Sequence, residues 1–277
     1  MEEEWRKWED LEIDCLSNIF RRLALEELIL DVSFVCKSWY KASLDPLCWQ
    51  ILNFEKLDFS PESRFAKKFK GKYAILNFSF AGFMNLVVGR SCGLATELRF
   101  PLDGVSIQDL VSAANKCPKL KVLALPNMTL ENELQIPQLV AKYKDLEHLE
   151  MDVKPSCFSE LAAEISNNCK NFRGLKMSGS IQKSDASAIV GFMPKIKYLD
   201  LSRSYLPKKE FMVIMKGCRE IERLSVNFCV GFQVDKDVLE LASSIGLFEC
   251  EGSKLCDYFV YDSFHWNQLY LNVEDFL

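Results

Sequence analysis

Leu120-Lys121-Val122-Leu123-Ala124-Leu125 is one copy of a pattern, apolar-x-x-Leu-x-apolar, that recurs along the chain and indicates its fold. The cleanest further copies are LEHLEM at 146–151 and IKYLDL at 196–201. Seven such segments have anchor residues that lie 24 to 26 residues apart: Leu98, Leu123, Leu149, Leu175, Leu199, Leu224 and Phe248. One unit of this size cannot bury its apolar face alone, so the period predicts a stacked repeat.

Each repeat unit predicts one short strand and one helix. Leu123 and Leu125 alternate with their neighbours, which is the period of a strand with one buried face. Between strands, residues 106–114, 156–169 and 235–245 place apolar side chains on one helical stripe. The expected fold class is α/β, with the parallel strands on the concave side of a short solenoid and the helices on its convex side.

Residues of a buried type stand six positions before the anchor in six of the units: Cys92, Cys117, Tyr143, Cys169, Met193 and Cys218. The chain has 11 cysteines, an odd number, and no Cys-x-x-Cys pair. This usage predicts reduced, mostly buried thiols and a cytoplasmic or nuclear protein.

The repeats resemble leucine-rich repeats of the longer, cysteine-containing type, over about residues 72–250. In that family an Asn or Cys follows the strand. Cys229 matches this position, whereas Met128, Lys154, Ser180 and Ser204 depart from it.

The N-terminal module is short, helical and rich in apolar residues. Residues 1–52 contain four of the five tryptophans of the chain. Three short helices are predicted there, the first with the apolar stripe Ile13, Leu16, Ile19, Phe20 and Leu23. So large an apolar share on about fifty residues predicts a surface for a partner.

This module resembles an F-box, and the match consists of a spaced set of residues: Trp8, Leu11, Asp14, Leu16, Ile19, Phe20, Leu23, Val35, Cys36, Trp39, Asp45, Pro46 and Trp49. Glu12 departs from the family pattern, which usually has proline after the leucine. The resemblance implies binding to a Skp-family adaptor, which docks on the cullin and RING subunits of a ubiquitin ligase. It further implies a set of adaptor contacts or supports for them: Leu11, Ile13, Leu16, Ile19, Phe20, Leu23, Val35 and Trp39. For Trp39 and Phe20, packing in the core of the module is an equally open role.

The predicted substrate face consists of residues that flank the buried strand positions and therefore point out of the sheet. Its candidate members are Arg99, His148, Glu150, Asp152, Lys176, Tyr198, Asp200 and Arg223. The outward positions together hold six acids against three Arg or Lys, so a basic substrate segment is one hypothesis. An ordinary solvated surface is the alternative, and it accounts better for the charge preference.

Other functions find little support in the sequence. The net charge of −5 argues against nucleic acid and anionic membranes as partners. The two histidines, His148 and His265, have no nucleophile motif nearby, and neither a zinc pattern nor a phosphate loop is present, so no cofactor is expected. The basic run at 64–72 predicts a solvated helix face with Phe65 and Phe69 turned inward; an import signal and a contact with an acidic partner surface are the alternatives.

The sequence therefore predicts four regions: an F-box module at 1–52, a linker with capping helices or a degenerate repeat at 53–97, leucine-rich repeats at 98–250, and a C-terminal cap at 251–277. The expected function is the non-catalytic substrate-recognition subunit of a Skp–cullin–F-box ubiquitin ligase. A repeat scaffold without ligase assembly, or a receptor for a small ligand, remains open.

Overall fold

The computed structural model describes Trp8 and residues 11–255. It divides into two compact units, residues 1–172 and 173–277, and each is described by itself. The predicted cap beyond residue 255, together with His265, lies outside the described residues.

The first unit contains the helical module and four parallel strands. Its elements in chain order are α1 (Ile13–Phe20), α2 (Leu25–Leu30), α3 (Lys37–Ser43), β1 (Ile51–Asn53), α4 (Arg64–Tyr73), α5 (Phe80–Arg90), β2 (Glu97–Arg99), α6 (Ile107–Lys116), β3 (Val122–Leu125), α7 (Leu130–Glu133), α8 (Ile136–Val140), β4 (His148–Val153) and α9 (Phe158–Asn168). Short 3-10 turns cover Val32–Phe34 and Pro46–Trp49. The strands pair in chain order, and Leu52, Leu98, Leu123 and Leu149 are in register.

The second unit continues the alternation of strand and helix. Its elements are β5 (Gly174–Ser178), α10 (Lys183–Phe192), β6 (Tyr198–Asp200), α11 (Lys208–Gly217), β7 (Arg223–Ser225), α12 (Lys236–Ala242) and β8 (Leu247–Glu249). Its anchors Leu175, Leu199, Leu224 and Phe248 are again in register in parallel strands. The predicted α/β class, a helical module followed by strand-and-helix repeats, is confirmed.

Buried side chains at equivalent positions make the core of the repeats. Leu123 and Leu149 are fully buried, and burying one such side chain contributes about 1.5–3 kcal/mol. Cys117, Cys169 and Cys218 each follow a repeat helix and are buried, as predicted. Burial raises the pKa of each of these thiols to about 11, so they stay protonated at neutral pH.

Cys92 differs from this pattern, because its side chain is exposed. Its φ is 48° and that of Gly93 is 77°, so the chain turns sharply after α5 and before β2. Ser91 is fully buried instead, and its hydroxyl donates to the Val88 carbonyl at 2.7 Å. The prediction of a buried Cys92 was therefore wrong by one residue.

The three-helix module is packed around large apolar side chains. Leu16, Phe20 and Trp49 are buried, and the Trp49 Nε1–H donates to the Ser43 carbonyl at 2.8 Å. The Arg90 guanidinium lies 4.9 Å from the centre of the Trp49 ring, a cation–π contact that joins α5 to the module.

The basic helix α4 forms a second junction. Phe65 and Phe69 are buried, as the sequence predicted. The Lys72 ammonium donates to the Leu30 carbonyl, where a cation stabilises the C-terminal end of α2. The Tyr73 hydroxyl donates to the Ile29 carbonyl at 3.0 Å. Both contacts fix α4 to the module.

Close helix packing in the second unit yields a matched pair of glycine substitutions. A β-carbon at Gly217 would lie 2.4 Å from Cγ1 of Val190, whereas one at Gly191 would meet nothing within 4 Å. We expect Gly217→Ala to lower the free energy of unfolding by about 1–3 kcal/mol through overpacking. Gly191→Ala should raise it by about 0.5–1 kcal/mol, because alanine restricts the unfolded chain. Urea denaturation measures both; equal effects would contradict the packing, and a cycle with Val190→Ala should show relief of the clash.

Candidate partner-binding surfaces

The first helix of the module divides its apolar residues between the core and the surface. Leu16 and Phe20 are buried against the rest of the module. Ile13 and Ile19 on the same helix are 46% and 41% exposed. Leu11 before the helix and Leu23 after it are half-buried. The predicted adaptor residues of this helix thus form a buried group, Leu16 and Phe20, and an exposed group, Ile13 and Ile19. The exposed group is available to a partner.

Val35 and Trp39 follow the same division. Val35 lies just before α3 and is 58% exposed. Trp39 is half-buried, and its ring centre lies 5.2 Å from that of Phe20. Its Nε1–H is buried without a hydrogen-bond partner among the described residues. Trp39 therefore packs on the core and also reaches the surface, which makes it suited to both roles considered for it.

Sequence reasoning missed several exposed apolar side chains of the module. These are Phe34, Tyr40, Leu44 and Leu47, each at least 40% exposed. They lie outside the apolar stripe of the first helix, on which the predictions for this module depended. Their concentration on so small a module supports a surface for a partner.

On the strand face of the first unit, Arg99 forms a paired-fork contact with Glu150. Both distances between the guanidinium nitrogens and the carboxylate oxygens are 2.8 Å. Nε of Arg99 also donates to Glu97 at 2.6 Å. The register Arg99–Ala124–Glu150 explains the reach, because the small side chain of Ala124 on the middle strand leaves the space free. The hydrogen bonds to Glu150, more than those to Glu97, raise the pKa of Arg99.

This pairing gives Glu150, a predicted substrate-face residue, a structural contact within its own chain. Its carboxylate is held by a cation of the same chain, and both side chains are largely buried, at 20% and 26% exposure. Glu150 therefore supports the shape of the strand face. His148 and Asp152 lie on the same strand, β4, and are half-buried.

The strand face of the second unit is more open. Lys176 and Arg223 are exposed, while Tyr198 and Asp200 are half-buried. Lys176 and Asp200 are register partners. The Asp200 carboxylate accepts the N–H of Ser202 at 2.9 Å within its own turn.

Tyr198 takes part in a contact at the edge of this face. Its hydroxyl lies 3.4 Å from Glu222, which also binds Lys197 at 2.6 Å. The hydrogen bond from Lys197 lowers the pKa of Glu222. The strand register places the substrate-face candidates of this unit on one side of the sheet, because Tyr198 pairs with Arg223 and Lys176 pairs with Asp200.

A metal ion or a small ligand would need a different kind of site among the described residues. They contain no group of three or more His, Cys, Asp or Glu side chains arranged to hold a metal ion. A cleft of about 300 Å³ lies at the ends of α11 and α12, lined by residues that include Met215, Arg219, Leu241 and Ile245. In the part of the chain described by the structure, no helix is long and apolar enough to cross a membrane.

The helical module and the repeats correspond to an F-box domain followed by the strand-and-helix arrangement of leucine-rich repeats. The F-box domain family matches residues 8–51. An F-box/LRR-repeat protein of Arabidopsis thaliana is 29% identical, with 82% of this chain and 75% of the relative covered. The F-box protein SKIP1 of the same plant is 28% identical over 83% of this chain and 81% of its own length.

A third relative, the Arabidopsis F-box protein FBW2, is 26% identical over 84% of this chain and 71% of its own length. The chain thus resembles plant F-box/LRR proteins over most of its length. F-box domains generally bind Skp adaptors, so these similarities support a role in substrate recognition.

The contribution of the Arg99–Glu150 contact to the free energy of unfolding can be measured with a variant. Glu150→Gln keeps the shape of the side chain but removes its charge, so we expect a loss of about 1–2 kcal/mol in the free energy of unfolding. The control is Glu222→Gln, which breaks the exposed ion pair with Lys197 and should leave stability nearly unchanged. Equal thermal midpoints for the two variants would show that the Arg99 contact adds little.

Glu12 provides a test of whether its departure from the family pattern weakens the module. Its φ of −55° is in the range of proline, and its N–H donates to no described residue. Glu12→Pro should therefore raise the free energy of unfolding by about 0.4–1 kcal/mol, by restricting the unfolded chain. Thermal denaturation measures this, with Glu12→Ala as the control; a lower midpoint would mean that the native turn excludes proline.

Proposed function

We propose that this protein is the substrate-recognition subunit of a Skp–cullin–F-box ubiquitin ligase. The F-box module binds the Skp adaptor, and through it the cullin and RING subunits. The leucine-rich repeats bind a protein substrate, whose ubiquitination leads to proteasomal degradation. The reduced thiols suit the cytoplasm or the nucleus, where such ligases act.

The exposed apolar residues of the F-box module carry this proposal. Ile13, Ile19 and Val35 are between 41% and 58% exposed on a module whose core is already filled by Leu16, Phe20 and Trp49. Exposing them is unfavourable in water, and covering them with a partner contributes about 1.5–3 kcal/mol for each fully buried side chain. A few such anchors are enough for tight binding.

The repeats contribute by proximity. A substrate held on the strand face has a high effective concentration near the conjugating enzyme that the ligase recruits. The chain itself then needs no nucleophile. The buried thiols fit this division of labour, because their raised pKa values keep them in the unreactive protonated form.

Adaptor binding is tested with purified protein and a recombinant plant Skp adaptor. The double variant Ile19→Glu, Val35→Glu places charges at two exposed positions, so its fold should be retained. Its affinity for the adaptor should fall about tenfold or more. Leu130→Glu, at a side chain that is 74% exposed outside the module, is the matched control and should bind like the native chain.

The outcomes separate the proposal from a repeat scaffold. Loss of binding in the double variant alone, with unchanged thermal midpoints, supports a ligase subunit. A native chain that binds no adaptor contradicts the proposal. Equal binding by the double variant would show that other residues form the adaptor surface.

A further inference from the structure

The repeats of the second unit share a turn with a left-handed backbone, four residues after each anchor. The residues at this position are Gly179, Arg203, Phe228 and Gly252, with φ values of 129°, 60°, 55° and 68°. Two repeats therefore use glycine, which adopts positive φ without steric cost. The two repeats between them use arginine and phenylalanine.

Arginine and phenylalanine are costly residues for this conformation. A positive φ is uncommon for any residue with a β-carbon, and a bulky side chain makes it an outlier. Glycine at 203 and 228 would serve the turn better, as it does in the flanking repeats. The fold does not require these two side chains, which points to a role in function.

Both side chains are presented to solvent on a fixed backbone. Phe228 is 56% exposed, and Arg203 is also exposed. The Arg203 N–H donates to the Asn227 carbonyl at 2.8 Å, and the Phe228 N–H donates to the Glu251 carbonyl at 2.6 Å. These hydrogen bonds hold neighbouring turns side by side.

The backbone of Gly252 packs against the Phe228 ring. A β-carbon added at Gly252 would lie 2.4 Å from Cδ1 of Phe228. The ring therefore lies against the glycine backbone of the next turn and cannot withdraw in that direction. An exposed aromatic side chain held in this way pays little entropy on binding, which is typical of an anchor residue at an interface.

The charged residues on the two sides of Phe228 have opposite signs. No ion pair joins Arg203 to any of the described residues, whereas Glu251 lies one repeat beyond Phe228. A partner carboxylate is therefore favoured on the Arg203 side of the ring and disfavoured on the other side.

We propose that Arg203 and Phe228 form the main substrate contact of the repeats and recognise a protein segment in which an apolar side chain lies next to a carboxylate. The apolar side chain packs on Phe228 while the carboxylate pairs with Arg203. This inference rests on the proposed function, because it names the substrate class of the same repeat surface. It differs from the basic segment that the acidic composition of the strand face suggested.

The test uses the full chain and fluorescent synthetic peptides. One peptide carries Asp-Asp-Leu-Leu in a Gly/Ser host, a second carries Lys-Lys-Leu-Leu, and a third carries Asp-Asp-Ser-Ser. We expect the first to bind about tenfold more tightly than either of the others, since both contacts are needed. No binding by the first peptide, or equal binding by the lysine peptide, overturns the assignment.

Variants separate recognition from structure. Arg203→Asn and Phe228→Asn introduce a residue that tolerates positive φ, so the thermal midpoint should stay level or rise. Affinity for the first peptide should nevertheless fall about tenfold in each. Phe192→Ser, at a 42% exposed side chain on α10, is the matched control and should bind like the native chain. A fall in both midpoint and affinity would assign the two residues to structure and overturn the proposal.

Adaptor binding by the same variants keeps the two proposals distinct. Arg203 and Phe228 lie outside the F-box module, so both variants should bind the Skp adaptor normally. Native protein that binds the peptide but no adaptor would contradict the ligase role alone. Native protein that binds the adaptor but no acidic-apolar peptide would contradict the substrate class alone.

Discussion

The alignment of the anchor residues between neighbouring strands fixes where the other side chains of the repeats lie. Each strand has only three to six residues, and a buried anchor depends on the neighbouring repeats to cover it. A shift by one residue would exchange Leu123 for Ala124 in the core. Because the anchors are aligned, every position counted from them is aligned too. That alignment brings Arg99 opposite Glu150 across Ala124, and it places Arg203 and Phe228 on neighbouring turns.

The module is not simply attached to the repeats by a linker. Its last turn, Pro46–Trp49, leads almost directly into β1, which pairs with β2. Arg90 packs on Trp49, while Lys72 and Tyr73 bind the end of α2. These contacts come from α4 and α5, so the first two repeat-region helices hold the F-box module against the first strands. In a ligase subunit, such a junction would transmit the position of the adaptor to the start of the substrate face.

Periodic features were predictable from the sequence, and features that depend on single neighbours were not. The spacing of the anchors gave the strands, and the apolar stripes gave α6, α9 and α12 within a few residues. Periodicity could not show that Ser91 would replace Cys92 in the core, because a sharp turn there breaks the spacing. Nor could composition show that Glu150 is paired with Arg99. That contact requires both the strand register and the small side chain of Ala124 between them. Within the F-box, the apolar stripe identified α1 but could not separate buried Leu16 from exposed Ile19.

The two proposed surfaces solve different physical problems. The F-box module is too small to bury all its apolar side chains, so its surface gains free energy when any well-fitting apolar partner covers it. In the repeats the anchors from Leu52 to Leu224 are buried and Phe248 is half-buried, so most of the repeat core is covered without a partner. In the proposed function, selectivity on the repeats comes from a few side chains that are costly for their backbone conformation, and Arg203 and Phe228, with their positive φ, are residues of this kind. An adaptor surface based on hydrophobic burial and a substrate surface based on local strain and charge depend on different residues, so a substitution in one need not affect the other.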